Sequence, residues 1–148
     1  MKIPKYDIKI IKKEEFSIQE AKRHFENAKE TIKLAKKNDK YYTDPKYVKS
    51  AGSYLWHSIL IAIDSVYDVK YSKKGNARAD KLDYQNALAK DTRNSKNRGF
   101  DIVDIYAEAY KVIHLSMSYD GILSVNICND GFMYAKKIID YCELKLKK

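Results

Sequence analysis

The stretch that decides the fold runs from Asp44 to Tyr71, DPKYVKSAGSYLWHSILIAIDSVYDVKY. Asp44 is a helix N-cap residue, and Pro45 suits the first turn, where a missing N–H breaks no intrahelical bond. The following residues are apolar around most of a helical circumference: Val48, Ala51, Leu55, Trp56, Ile59, Leu60, Ala62, Ile63, Val66 and Tyr67. A helix of that kind is central and packed on several sides. One polar seam remains on it, made of Ser50, Ser53, His57, Asp64 and Asp68.

Outward from this helix, the pattern stays helical. Upstream, Ser17 with Glu20 forms a capping-box pattern, and Phe16 can staple onto Ala21. Ala21, Ala28 and Ala35 recur every seven residues, interleaved with Ile18, Phe25 and Ile32, which predicts a first helix ending near Lys37–Asn38 and suited to a close antiparallel contact. Residues 1–13 read as an extended N-terminal arm, and residues 14–148 as a single helical-bundle domain. Downstream, Ser72–Asn76 is a loop and a weakly amphipathic third helix spans about Ala77 to Thr92. A second polar loop covers Arg93–Gly99. A fourth helix runs over about Phe100 to Ser118 and a fifth over about Leu123 to Lys145. The expectation is all-α: an up-down antiparallel bundle of four long helices plus one shorter helix. Short connections then place the first-to-second and third-to-fourth loops at one end, and the other two loops at the opposite end.

The 148 residues carry 29 Lys and Arg against 20 Asp and Glu, for a net charge of +9. The surplus is uneven: 14 basic against 8 acidic (+6) in residues 1–50, 9 against 5 (+4) in 51–100, and 6 against 7 (−1) in 101–148. Only Arg23, Arg78, Arg93 and Arg98 are arginine, whereas a surface built for phosphate favours the bidentate guanidinium. Lys, Ile, Asn and Tyr share AT-rich codons, so codon bias explains part of the excess.

The N-terminus has no apolar run of signal-peptide type. Cys128 and Cys142 stand fourteen residues apart on one predicted helix, roughly 21 Å along its axis. They read as core thiols of a cytoplasmic protein. Neither a GxGxxG nor a GxxxxGK[ST] motif occurs, HExxH is absent, and no histidine stands near either cysteine. Catalytic residues, metal and cofactor are accordingly expected to be none.

Two basic clusters are the candidates for an anion or nucleic acid. The first joins Lys36, Lys37 and Lys40 to Arg93, Lys96 and Arg98 across the shared bundle end, with Tyr41 and Tyr42 adjacent. The second joins His114 to Lys73, Lys74 and Arg78. Ser53, His57 and Asp64 form the polar seam, read as lining a groove or subunit interface. His24 reads as a boundary residue.

The element order, the Asp44-Pro45 start, the apolar second helix with Trp56 and the short basic third-helix region resemble the bacterial HEPN-like helical bundles, over about residues 14–146. The resemblance implies a helical bundle that often dimerises, and either RNase activity or partnership with a nucleotidyltransferase in toxin–antitoxin modules. The RNase branch separates a basic residue from a histidine by four to six intervening residues. Here the corresponding positions are Ser17, Ile18 and Gln19 before His24, Ser50, Ala51 and Gly52 before His57, and Ala107, Glu108 and Ala109 before His114. None is basic, so no catalytic residue carries over. The sequence therefore points to a non-catalytic interaction or self-association module, a homo-oligomer (dimer) or partner of another protein and not of a membrane. RNA binding through basic loop ends is the alternative.

Overall fold

The computed structural model describes residues 13–69 and 79–147. The predicted arm therefore lies outside the described residues except for Lys13, as do Lys73, Lys74 and Arg78. The described chain is all-α apart from one tiny hairpin.

Helix α1 spans Lys13–Lys33. It begins a turn before the predicted cap, so Ser17 is an interior helical residue. Lys13 to Phe16 are competent helix formers with two early glutamates, and nothing in them obliges the helix to wait for Ser17. The end also comes early. Leu34, Ala35 and Lys36 make tightened i→i+3 bonds, and Lys36 takes φ 54°. The chain then forms a hairpin, β1 (Lys37–Asn38) against β2 (Tyr41–Tyr42), with Lys37 opposite Tyr42. Two-residue strands are too short to show alternation, and the hairpin was not anticipated.

Helix α2, Pro45–Tyr67, starts as its sequence dictates: Asp44 is extended and its Oδ1 accepts the Lys46 N–H at 2.9 Å. It stops about one turn short of Tyr71, at Asp68, whose φ of 51° turns the chain. Val48, Ala51, Leu55, Ile59, Ala62 and Ile63 are wholly buried, and α2 is the central helix, packed against every other long helix.

Of the helix predicted over about Ala77 to Thr92, the described residues hold α3 (Lys81–Ala89), and a second short helix, α4 (Thr92–Asn97), follows it. Residues 93–97, expected in a loop, are thus helical. A reciprocal capping box between Asp80 and Asp83 opens α3. At about 1.5 Å per residue, nine residues rise about 13 Å and cannot traverse the bundle. Next come α5 (Ile102–Ala109), capped by Asp101, and α6 (Val125–Leu146), capped by Ser124. Between them, Tyr110–Tyr119 continues α5 as wide π-type turns, ending in an Asp120 N–H to Leu115 C=O bond at 3.0 Å. These turns bring Ser118 against Gly52 of α2, where an added Cβ would lie 2.7 Å from the Ser118 nitrogen. Only glycine permits that approach.

Because α3 and α4 stay at one end, the loops share ends differently from the expectation: the first-to-second loop meets the connection before α6, and not the segment before α5. The hairpin meets the α5–α6 connection: Tyr42 N–H bonds Leu123 C=O at 2.8 Å, and Val125 N–H bonds Lys40 C=O at 3.0 Å. Residues 79–101 close the opposite end. There Asp91 accepts from Tyr67 Oη (2.5 Å), Asn94 Nδ2 (2.6 Å) and Lys145 Nζ (2.6 Å), tying together α2, α4 and α6. Tyr141 Oη adds a bond to the Asp91 carbonyl at 3.4 Å.

Candidate functional site

On α1, the small-residue stripe is spent inside the molecule. Ala21 and Ala28 of α1, and Ala35 just beyond its end, are fully buried, and α1 makes its most extensive contact with α2. Rotating this stripe onto α2 turns Phe25 and Ile32 toward α6. The contact between α1 and α6 is much sparser, and a trough of about 830 Å³ opens between them. Its floor is Phe25, Ile32, Tyr42, Phe132 and Ile139, with the Phe25 and Phe132 rings edge to face at 5.8 Å. The volume falls in the range of about 300–1,000 Å³ usual for binding clefts with apolar linings. Along α6 the lining runs from Asn129 to Glu143, fourteen residues or about 21 Å.

The rim is charged, and unevenly so. At the end near Glu143, the lysines are matched: Lys22 pairs with Glu143, and Lys136 with Asp140 at 2.9 Å. Toward the hairpin the balance changes. Lys29 and Lys33 reach Glu26 and Glu30 only at 3.6 Å, as exposed i,i+3 pairs, which contribute little in water. Lys36 and Lys37 have no carboxylate within ion-pair distance among the described residues. Four lysines thus crowd the hairpin end of an apolar trough.

The first sequence-based cluster is divided by this fold. Lys36 and Lys37 line the trough, and Lys40 sits on the hairpin turn beside Val125. Arg93, Lys96 and Arg98 stand at the other end: Lys96 lies 3.8 Å from Asp101, and the Arg98 guanidinium lies 5.7 Å from the Tyr141 ring. From Val125 to Tyr141 is sixteen helical residues, about 24 Å. The physical reason is the break at Asp91, which keeps α3 and α4 from carrying the chain back to the hairpin. Of the flanking tyrosines, Tyr41 is exposed and Tyr42 is buried in the core.

Of the second cluster, only His114 is described, and it stacks on Trp56 (5.2 Å, 23°), with Tyr110 at 5.3 Å and Tyr119 at 5.1 Å. The polar seam is also engaged internally. Ser53 and Ser118 share a 2.9 Å hydroxyl bond, His57 Nδ1 bonds the Ser53 carbonyl at 3.1 Å, and Asp64 accepts from Tyr84 Oη at 2.8 Å. Sequence reading missed that all three histidines gather on one side of the bundle. His24 lies 6.2 Å from His57 and 6.1 Å from Tyr54, ring to ring. Burial lowers the pKa of His24 and of His114. The neighbouring charges of Arg23 and His57 add to this at His24, against a smaller opposing effect of Glu20, and His57 adds to it at His114. The Nδ1 atoms of His24 and His114 are buried with no hydrogen-bond partner among the described residues. Among the described residues no three His, Cys, Asp or Glu side chains are placed to hold a metal ion.

Both thiols are free and buried, and burial pushes Cys128 up to about 11. They are not poised as nucleophiles. No described helix is long and apolar enough to cross a membrane.

Residues 16–144, which include every residue lining the trough, match a family described as "Domain of unknown function (DUF5618)". The chain belongs to that family. No curated protein matches it. A solved structure of a protein of unknown function from Dyadobacter fermentans is similar at 30% identity and a TM-score of 0.74, over 91% of this chain and 99% of that one. This DUF5618 chain therefore shares its bundle with a solved relative over nearly its whole length.

Proposed function

We propose that this DUF5618 protein is a non-catalytic interaction module that receives part of a partner protein in the trough between α1 and α6. The observation that carries the reading is the trough itself, an apolar floor left open between α1 and α6. Helical bundles commonly recognise partners by accepting an amphipathic helix into such a groove. The features that first suggested association, the alanine stripe and the polar seam, are both used within the chain, so the trough replaces them. A second copy is the poorer fit, because two lysine-rimmed faces of a +9 chain repel each other. The buried free thiols suit a reducing, cytoplasmic setting.

The test is a photo-crosslinking amino acid placed at Phe132, with a control at exposed Leu82 on α3, in cells of the source organism. Covalent adducts with another polypeptide at Phe132 and not at Leu82 are expected. Equal labelling at both positions, or adducts only with RNA, would refute the reading.

A further inference from the structure

Resting on that interaction-module reading, we infer that the trough takes an acidic amphipathic helix of about four turns, docked with its C-terminal end against the hairpin. Length, floor and charge each contribute to this assignment. A lining of about 21 Å matches fourteen helical residues. The floor residues Phe25, Ile32, Phe132 and Ile139 come from two neighbouring helices, and their seam suits apolar anchors at i, i+3, i+4 and i+7.

The rim sets both sign and direction. Near Glu143, the lysine–carboxylate pairs are already satisfied and ask nothing of a ligand. Near the hairpin, Lys29 and Lys33 hold exposed glutamates only at 3.6 Å, and Lys36 and Lys37 add two charges with no carboxylate in ion-pair distance among the described residues, an excess of positive charge beside the apolar floor. A helix C-terminus carries unpaired carbonyls and the negative end of the macrodipole. Glutamates in its last turns add formal charge. Such acidic residues oppose the helix's own dipole, so the segment is weakly helical alone and is stabilised on meeting the lysines. A second copy of this chain would bring more lysine. A nucleic acid, charged along its whole length, would find an excess of lysine at only one end of the trough.

Three fluorescein-labelled fourteen-residue peptides test this by anisotropy against the full chain. All share leucines at i, i+3, i+4, i+7 and i+11. One carries four glutamates in its C-terminal half, one carries them in its N-terminal half, and one replaces them with lysines. The first is expected to bind at least tenfold more tightly than the lysine peptide and severalfold more tightly than the N-terminal version. Lys33→Glu with Lys37→Glu, both at exposed positions, should weaken the first peptide at least tenfold while leaving the thermal midpoint unchanged. Equal binding of acidic and basic peptides overturns the inference. So does oleate or a poly-U RNA that binds more tightly and displaces the peptide in a Lys33- and Lys37-dependent way. Crosslinks at Phe132 without preferential acidic-peptide binding would sink the inference and spare the interaction reading. Loss of both would sink the two together.

Discussion

Removing the Asp91 carboxylate should be the most damaging single side-chain truncation at the end of the bundle opposite the hairpin. Asp91 is 7% exposed and receives Tyr67, Asn94 and Lys145 within 2.6 Å. Burial alone would raise its pKa, but the bonds from Lys145, Tyr67 and Asn94 outweigh that and hold it below the ordinary 3.8. Asp91→Ala leaves the Lys145 ammonium and the Tyr67 hydroxyl half-buried without their acceptor. Breaking a buried pair in this way costs about 3–5 kcal/mol. At this chain length, about 3–4 °C per kcal/mol translates that into a thermal midpoint lower by about 10–20 °C. Asp91→Asn keeps an acceptor for one donor and loses the charge, so it should cost less, about 1–3 kcal/mol. Urea unfolding followed by circular dichroism at pH 7 measures both. Because the folded pKa is depressed, the Asp91 contribution is complete above the ordinary value and disappears as pH falls below it. The wild type should therefore lose stability below pH 4 more steeply than Asp91→Asn. An Asp91→Ala protein within about 1 kcal/mol of wild type would refute the reasoning, since it would mean that the three bonds are no better than those to water.

Gly52→Ala places a methyl group 2.7 Å from a backbone nitrogen and 2.8 Å from Met117 Cβ. The overpacking cost of about 1–3 kcal/mol should exceed the helix-propensity gain of about 1 kcal/mol, so the net effect is destabilising. A rise in the urea midpoint would contradict the close approach of α2 to the π turns. The histidine cluster predicts a separate pH dependence. His24 and His114 have folded pKa values lowered from 6.5, so their contribution is complete above about pH 6.5 and is lost as pH falls through the folded values. The urea midpoint should drop between pH 7.5 and 5. The double variant His24→Leu, His114→Phe should flatten that slope, and an unchanged slope would show that the cluster is not the cause.

What could be read from sequence divides along local and non-local lines. The Asp44-Pro45 start, the central α2 and the alanine stripe were legible because capping chemistry and helical periodicity act over a few residues. The position of the helix ends was less so. Lys36 and Asp68 leave the helix through positive φ without a glycine to announce it. The mistaken loop arrangement came from treating Ala77–Thr92 as one crossing helix, when Asp91 in fact anchors a turn to α2 and α6. Gly52, isolated in an apolar helix, is a local hint of the close approach of the π turns to α2. The candidate site was the least legible part. Phe25 and Phe132 are distant in sequence, and nothing in either helix alone says that α1 turns toward α2 and leaves α6 at a distance. The same holds for His24, His57 and His114, which lie on three different helices. The sequence reading singled out Lys36, Lys37 and Lys40 but grouped them with Arg93, Lys96 and Arg98, which stand at the other end of the bundle; Lys29 and Lys33 were not singled out.

The most direct test of the central claim is a two-dimensional amide and methyl NMR titration of the full chain with the peptide bearing C-terminal glutamates. Shift changes should concentrate on Phe25, Ile32, Tyr42, Phe132 and Ile139, with the peptide's last turn closest to Lys33 and Lys37. Changes centred instead on Arg93–Arg98, or on the His114 and Tyr119 side of the bundle, would contradict it.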